Sequence, residues 1–217
     1  MSAAGRTIDR RAFVAGLRAA CPDALVIAGL GAPAYDLYAA GDREESFYLW
    51  GGMGGAAAMG LGLALARSER CVVVLTGDGE QLMGLGALAT IGAQRPPNLT
   101  IVVLDNGRYG ETGMQESHTS LGTSLAAVAL GCGFAWAGEV ADPRDVHRLA
   151  ERIRARAGCG LAQVLVLPEP LPRLLPPRDG EQLKRRFRLA AGVSDAGFVR
   201  RDARSAPPTP GAGTGGA

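Results

Sequence analysis

Four short runs of aliphatic and β-branched residues recur along the chain: "ALVIAGL" (24–30), "CVVVLT" (71–76), "LTIVVLD" (99–105) and "AQVLVL" (162–167). Each is nearly free of polar alternation, as a strand covered on both faces must be. The segments between them, "GGAAAMGLGLALARS", "EQLMGLGALATIGAQ", "TSLAAVALG" and "DPRDVHRLAERIRARAG", carry helical patterning. Strand–helix–strand alternation leaves few folds open. It predicts an α/β chain with an open, mainly parallel sheet and helices on both faces.

The outer boundaries follow from composition. An N-terminal helix is expected within residues 1–20, and one domain over 21–170. Asp142 is read as the N-cap of the helix over 142–157, with Pro143 at its first position. From Pro168 onward, "PEPLPRLLPPRDG" cannot continue a sheet. "EQLKRRFRLAAG" can form a helix, and "SAPPTPGAGTGGA" is expected to be disordered, so 171–217 reads as a largely disordered Pro/Gly/Arg-rich tail. Lys184, Arg185, Arg186 and Arg188 read as a solvated part of that tail in preference to an anion-binding patch.

Function classes narrow in the same way. A formal charge of +2 is too small to point to nucleic acid or an anionic membrane. Arginines interrupt the first apolar residues, which argues against a signal peptide. The longest weakly polar stretch, "GGMGGAAAMGLGLALA", is shorter than the roughly 20 residues of a membrane span. Cys21, Cys71, Cys132 and Cys159 have no Cys-x-x-Cys spacing and read as buried thiols of a reducing compartment. The expectation is a cytoplasmic protein.

The segment that carries chemistry is "TGDGEQ" (76–81), at the end of the second run. Glycine-rich turns at strand ends commonly receive phosphate, yet Asp78 would repel it. In open α/β sheets ligands bind beyond the carboxyl ends of the strands. The next strand ends in "LDNGRYG", and 26 residues separate Gly79 from Asn106, enough for one helix and one strand. Asp78 and Asn106 can then face one crevice. An acid, an amide oxygen and a glycine turn are compatible if Mg²⁺ lies between protein and diphosphate, because Mg²⁺ takes hard oxygen ligands and bridges in this manner.

A dinucleotide reading fits less well. "GLGALA" (84–89) begins eight residues past the strand, within a helix expected to run unbroken through 80–94. In "GDGEQL", Leu82 stands where a small residue should sit, and Asp78 and Glu80 would face a pyrophosphate with no metal between them.

"GDG", 26 residues and "N" together resemble the thiamine diphosphate motif, in which Asp and Asn hold the Mg²⁺ that anchors the cofactor. "LWGGMGGAAAMGLGLALA" resembles a segment of the diphosphate-binding domain of thiamine-dependent decarboxylases and acetolactate synthases. "LDNGRYGETGMQ" is similar to the β subunit, or C-terminal half, of sulfopyruvate and phosphonopyruvate decarboxylases. The resemblance covers roughly residues 20–167. It implies Asp78 and Asn106 as side-chain ligands of Mg²⁺ and Arg108 as a ligand through its carbonyl. It places Gly77, Gly79, the amide of Glu80, Gly31 and Ala32 against the diphosphate, with Tyr109 packed beneath the following loop. Met53 would be the wedge that bends the cofactor, and the Gly51 carbonyl would accept a hydrogen bond from its aminopyrimidine.

Two departures matter. Glu80 occupies a position where a small or hydroxyl residue is expected, so its carboxylate must avoid the diphosphate. No segment resembles the pyrimidine-binding domain that supplies the catalytic glutamate in this family. That implies a pyrimidine-binding α subunit as partner, a hetero-oligomer, and decarboxylation of a small 2-oxoacid. An acetolactate synthase-like carboligase subunit and a non-catalytic accessory subunit share the same motifs and remain alternatives. In the loop 110–120, His118 is either a proton donor during turnover or an exposed polar residue, and Gln115 has the same standing. Asp105 is expected to cap the strand end or bond locally.

Overall fold

The computed structural model describes residues 5–193. Its centre is a six-stranded, all-parallel sheet whose strands, in spatial order, are 46–48, 25–28, 72–77, 99–105, 160–165 and 136–140. The interior strands are β1 (Leu25–Ala28), β3 (Val72–Gly77), β4 (Leu99–Asp105) and β8 (Gly160–Leu165). These are the four runs read from the sequence, and every residue in them except Gly77 is buried. A residue covered on both faces has no position at which a polar side chain is free of desolvation cost, so such strands are written as apolar runs.

Period-two alternation divides the core into two halves. Val26, Val73, Leu75, Val102 and Val164 pack with α1 (Arg10–Ala20), α2 (Ala32–Ala39) and α7 (Val146–Arg154). Ile27, Val72, Val74, Ile101 and Leu161 pack on the other face with α3 (Ala56–Ala66), α5 (Ala87–Gln94) and α6 (Leu125–Gly131). Asp9 caps α1 by accepting from the N–H groups of Arg11 and Ala12. Asp142 caps as expected, although Pro143–Asp145 first forms a 3-10 turn that leads into α7.

Two edge strands, β2 (Ser46–Tyr48) and β7 (Trp136–Val140), have no counterpart in the sequence reading. β2 is three residues long, and β7 is only half-buried and contains Gly138. Neither had to be apolar throughout, so neither left the signature of the interior strands. Between Asn106 and α6, a short hairpin pairs β5 (Arg108–Tyr109) with β6 (Gln115–Glu116).

The helix expected over 80–94 is two helices, α4 (Asp78–Met83) and α5, parted at Gly84–Gly86. A Cβ on Gly84 would collide with the carbonyl of Gly54, so the chain comes too close to the 51–55 segment there for any side chain.

The tail boundary needs correction. Residues 171–193 pack on the domain, and α8 (Gly180–Ala190) covers the β2 edge. Phe187 packs on Phe47 with tilted rings 5.4 Å apart, Leu183 is buried, and Trp50 Nε1 donates to the Pro177 carbonyl at 2.9 Å. Arg186, read as solvated, instead pairs with Asp42 through both terminal nitrogens at 2.6 and 2.7 Å. Covering a sheet edge removes a template for unwanted strand pairing. The segment "SAPPTPGAGTGGA" lies outside the described residues. Among the described residues no helix is long and apolar enough to cross a membrane.

Candidate functional site

The chain leaves β1 toward α2 on one face of the sheet and leaves the adjacent β3 toward α4 and α5 on the other. Neighbouring strands whose connections part in this way open a crevice at their carboxyl ends. A cavity of about 320 Å³ lies there, within the size range of small-molecule sites. Leu30, Ala32 and Pro33 line it from the first connection, residues 77–80 from the second, and Asn106, Arg108 and Tyr109 from beyond β4. Met53, 38% exposed, lines it from the loop before α3.

Asp78 begins α4 and is 1% exposed. Its Oδ2 accepts from Ser117 Oγ at 2.5 Å and from Thr119 Oγ1 at 3.2 Å. Burial, and then the nearby charge of Asp105, push the Asp78 carboxyl up to about 6, while the two hydroxyl donors pull it back. The Thr119 hydroxyl has one hydrogen to share between the two acids and lies closer to Asp105, with Oγ1 2.8 Å from Asp105 Oδ1. Asp105 is fully buried and also accepts from Arg6 Nη2, the Gly107 N–H and Gln163 Nε2. It is therefore more than a local cap, because it joins the N-terminal segment, β8 and the 117–119 loop to the strand end beside Asp78.

Asn106 Oδ1 accepts the Arg108 N–H at 2.8 Å, an arrangement that fixes the amide's orientation and leaves its second lone pair. Gly77 has no side chain with which to cap α4, so the first-turn N–H groups lack a side-chain acceptor. Tyr109 lies across Gly79, where a Cβ would strike its ring. The Glu80 carboxylate turns toward the β1 connection: Oε2 accepts from Leu30 N at 3.0 Å and from Thr76 Oγ1 at 2.9 Å. Burial raises its carboxyl above the ordinary range.

The cavity thus gathers Ala32, Met53, Gly77, Asp78, Gly79, Glu80, Asn106, Arg108 and Tyr109 from the sequence reading. Gly31 and Gly51 do not line it, although Gly31 precedes Ala32 with φ 76° and ψ −132°, a conformation open only to glycine. His118 is exposed, outside the lining, with Nδ1 3.5 Å from Tyr109 Oη. Gln115 is exposed as well and bonds within its own loop to Thr112. Ser117, Thr119 and Arg6 escaped the sequence reading. The only hint of the first two was their alternation in "ESHTS".

Among the described residues no group of three or more His, Cys, Asp or Glu side chains could hold a metal ion. Glu80, Glu111 and Glu169 also line the cavity, but the Glu80 carboxylate is turned to Leu30 and Thr76 and Glu111 pairs with Arg173, so a cation on Asp78 would need amide, carbonyl or ligand oxygens beside it. Such an all-oxygen donor set suits a hard divalent ion.

Residues 34–164 match the family described as thiamine pyrophosphate enzyme, C-terminal TPP binding domain. The sulfopyruvate decarboxylase subunit beta of Methanocaldococcus jannaschii is 46% identical over 51% of this chain and 58% of its own length. The phosphonopyruvate decarboxylase of Streptomyces viridochromogenes is 38% identical over 89% of this chain and 49% of its own length. The chain therefore spans about half the length of these curated relatives. The benzoylformate decarboxylase structure from Polynucleobacter necessarius aligns with a TM-score of 0.61 at 17% identity, covering 80% of this chain and 36% of that one, and so shares the fold.

Proposed function

The chain belongs to the thiamine pyrophosphate enzyme family as its C-terminal, cofactor-binding domain, and from that membership we propose that it is the diphosphate-binding subunit of a 2-oxoacid decarboxylase. The substrate is a small 2-oxoacid of the sulfopyruvate or phosphonopyruvate type, the acids in the names of the relatives reported above. The observation that carries this proposal is the placement of Asp78 and Asn106 beyond adjacent strand ends, on one cavity with the Gly77–Gly79 turn.

When bound, thiamine diphosphate supplies the nucleophilic carbon and the electron sink for loss of CO₂. The chain's own residues do the anchoring. Asp78 and Asn106 hold Mg²⁺ through side-chain oxygens and Arg108 through its carbonyl. Gly77, Gly79 and the Glu80 amide meet the diphosphate at the opening of α4, with Gly31 and Ala32 opposite. Ser117 and Thr119 orient the Asp78 carboxylate. Met53 supports the cofactor's bend, Gly51 accepts from its aminopyrimidine, and Tyr109 holds the turn from beneath. His118 lies outside the cavity lining, 3.5 Å from Tyr109 Oη, so a proton-donor role would require its loop to close on the substrate. The glutamate that activates the aminopyrimidine comes from a separate pyrimidine-binding α subunit, in a cytoplasmic hetero-oligomer.

Titration of the full chain with thiamine diphosphate and Mg²⁺ tests the anchor. Asp78→Ala should weaken binding tenfold to a thousandfold, about 1.4–4 kcal/mol. Unchanged affinity would remove the metal site.

A further inference from the structure

One side chain spans the crevice between β1 and β3. Glu80 rises from the first turn of α4 on the β3 side, and its Oε2 receives the Leu30 N–H from the β1 side. The same oxygen receives the Thr76 hydroxyl, which ties it back to its own strand. The fit is interlocked, since a Cβ on Gly29 would fall within the Glu80 carboxylate. Glu80 is 5% exposed, and besides Thr76 and Leu30 the backbone of Gly54 also acts on its carboxylate.

A buried carboxylate beside an anion-binding turn is electrostatically unfavourable in both respects, through desolvation and through repulsion. A small residue would avoid both penalties. What the acid provides in return is a fixed separation between two connections that diverge to opposite faces of the sheet and have no strand pairing beyond this point. Leu30, Ala32 and Pro33 on one side, and Gly77 to Glu80 on the other, are the walls of the cavity whose spacing this strut sets.

We propose that Glu80 is a positioning residue for the diphosphate end of the cavity, holding the 29–31 turn against the 77–80 turn at the separation the ligand requires. The inference rests on the cofactor reading above, and Glu80 takes no part in bond making.

The test uses the full chain, with Mn²⁺ and thiamine diphosphate as probe, binding read by electron paramagnetic resonance and Tm read in parallel. Glu80→Ala should weaken binding about tenfold or more, as expected when hydrogen bonds to a charged group are lost. Glu80→Gln keeps an acceptor and the length, and should stay within about threefold of wild type. Gly29→Ala should displace the carboxylate and weaken binding as Glu80→Ala does. The double variant should be no worse than Glu80→Ala alone, because both changes remove one lock. Should Glu80→Ala fail to fold, Thr76→Val removes one bond at constant volume and should still weaken binding measurably.

Wild-type affinity in Glu80→Ala or Thr76→Val, with only Tm lowered, would make Glu80 a stability residue and overturn the inference. Additive losses in the double variant would overturn it too. Failure of the wild-type chain to bind the probe would instead remove the cofactor reading, and this inference with it.

Discussion

Ser117 Oγ lies 2.5 Å from Asp78 Oδ2, although the two residues are 39 positions apart. With Thr119 it forms the only hydroxyl link, among the hydrogen bonds of the described residues, between Asp78 and Asp105. The proposed metal ligand is thus aimed by the loop that follows Asn106. Ser117→Ala should weaken Mg²⁺–thiamine diphosphate binding about tenfold, the scale of one hydrogen bond to a charged group. Ser117→Thr should restore most of it. If calorimetric titration gives the alanine variant wild-type affinity, the hydroxyl does not aim the ligand.

Acidification should release the metal. Asp78 titrates near pH 6 in the metal-free fold, raised by burial and by Asp105, whose own charge is offset by Arg6. Metal binding requires the carboxylate, so affinity should be flat above pH 7 and fall about tenfold per unit below pH 6. Stability of the metal-free chain moves the other way. A folded value above the ordinary 3.8 means the fold takes up a proton that the unfolded chain does not. The Asp78 contribution to stability therefore rises as pH falls through 6 toward 3.8. The difference in Tm between wild type and Asp78→Asn, followed from pH 7 to 4, isolates this contribution from that of Glu80, whose carboxyl is also raised by burial. A difference independent of pH would contradict it.

Met53 separates ring geometry from anchoring. It lines the cavity on a loop that provides none of the proposed metal or diphosphate contacts. Met53→Ala in the reconstituted complex should lower kcat while leaving cofactor affinity within a few-fold, roughly the pattern of a lost transition-state interaction. Joint loss of affinity and Tm would make it ordinary packing.

What the sequence made legible follows from where each residue sits. The interior strands had to be apolar, so Val72–Leu75 and Leu99–Leu104 announced themselves. Their ends then located Asp78 and Asn106 without any knowledge of the fold's detail. β2 and β7 stayed hidden because an edge strand tolerates exposure and glycine. α8 was underestimated because its anchors, Leu183 and Phe187, are two buried residues in an otherwise charged helix. The partners of Asp78 and Glu80 were illegible for a different reason. Ser117 and Thr119 reach Asp78 across 39 and 41 positions, and Leu30 reaches Glu80 across 50. Such contacts depend on a loop returning over a strand end, and no local pattern encodes that return. The destination of the Glu80 carboxylate also depends on space left by Gly29, which lies within the run "ALVIAGL" and carried no role in the sequence reading.

On the function proposed above, this chain is the anchoring half of a divided active site. The decisive assay follows CO₂ release from sulfopyruvate and phosphonopyruvate with thiamine diphosphate and Mg²⁺, first with the chain alone and then with a pyrimidine-binding subunit added. The chain alone should bind cofactor and release no CO₂ above background. Addition of the partner should bring turnover, and substitution of the partner's catalytic glutamate should abolish it. Sustained decarboxylation by the chain in isolation would place the activating acid within these 217 residues and contradict the divided site.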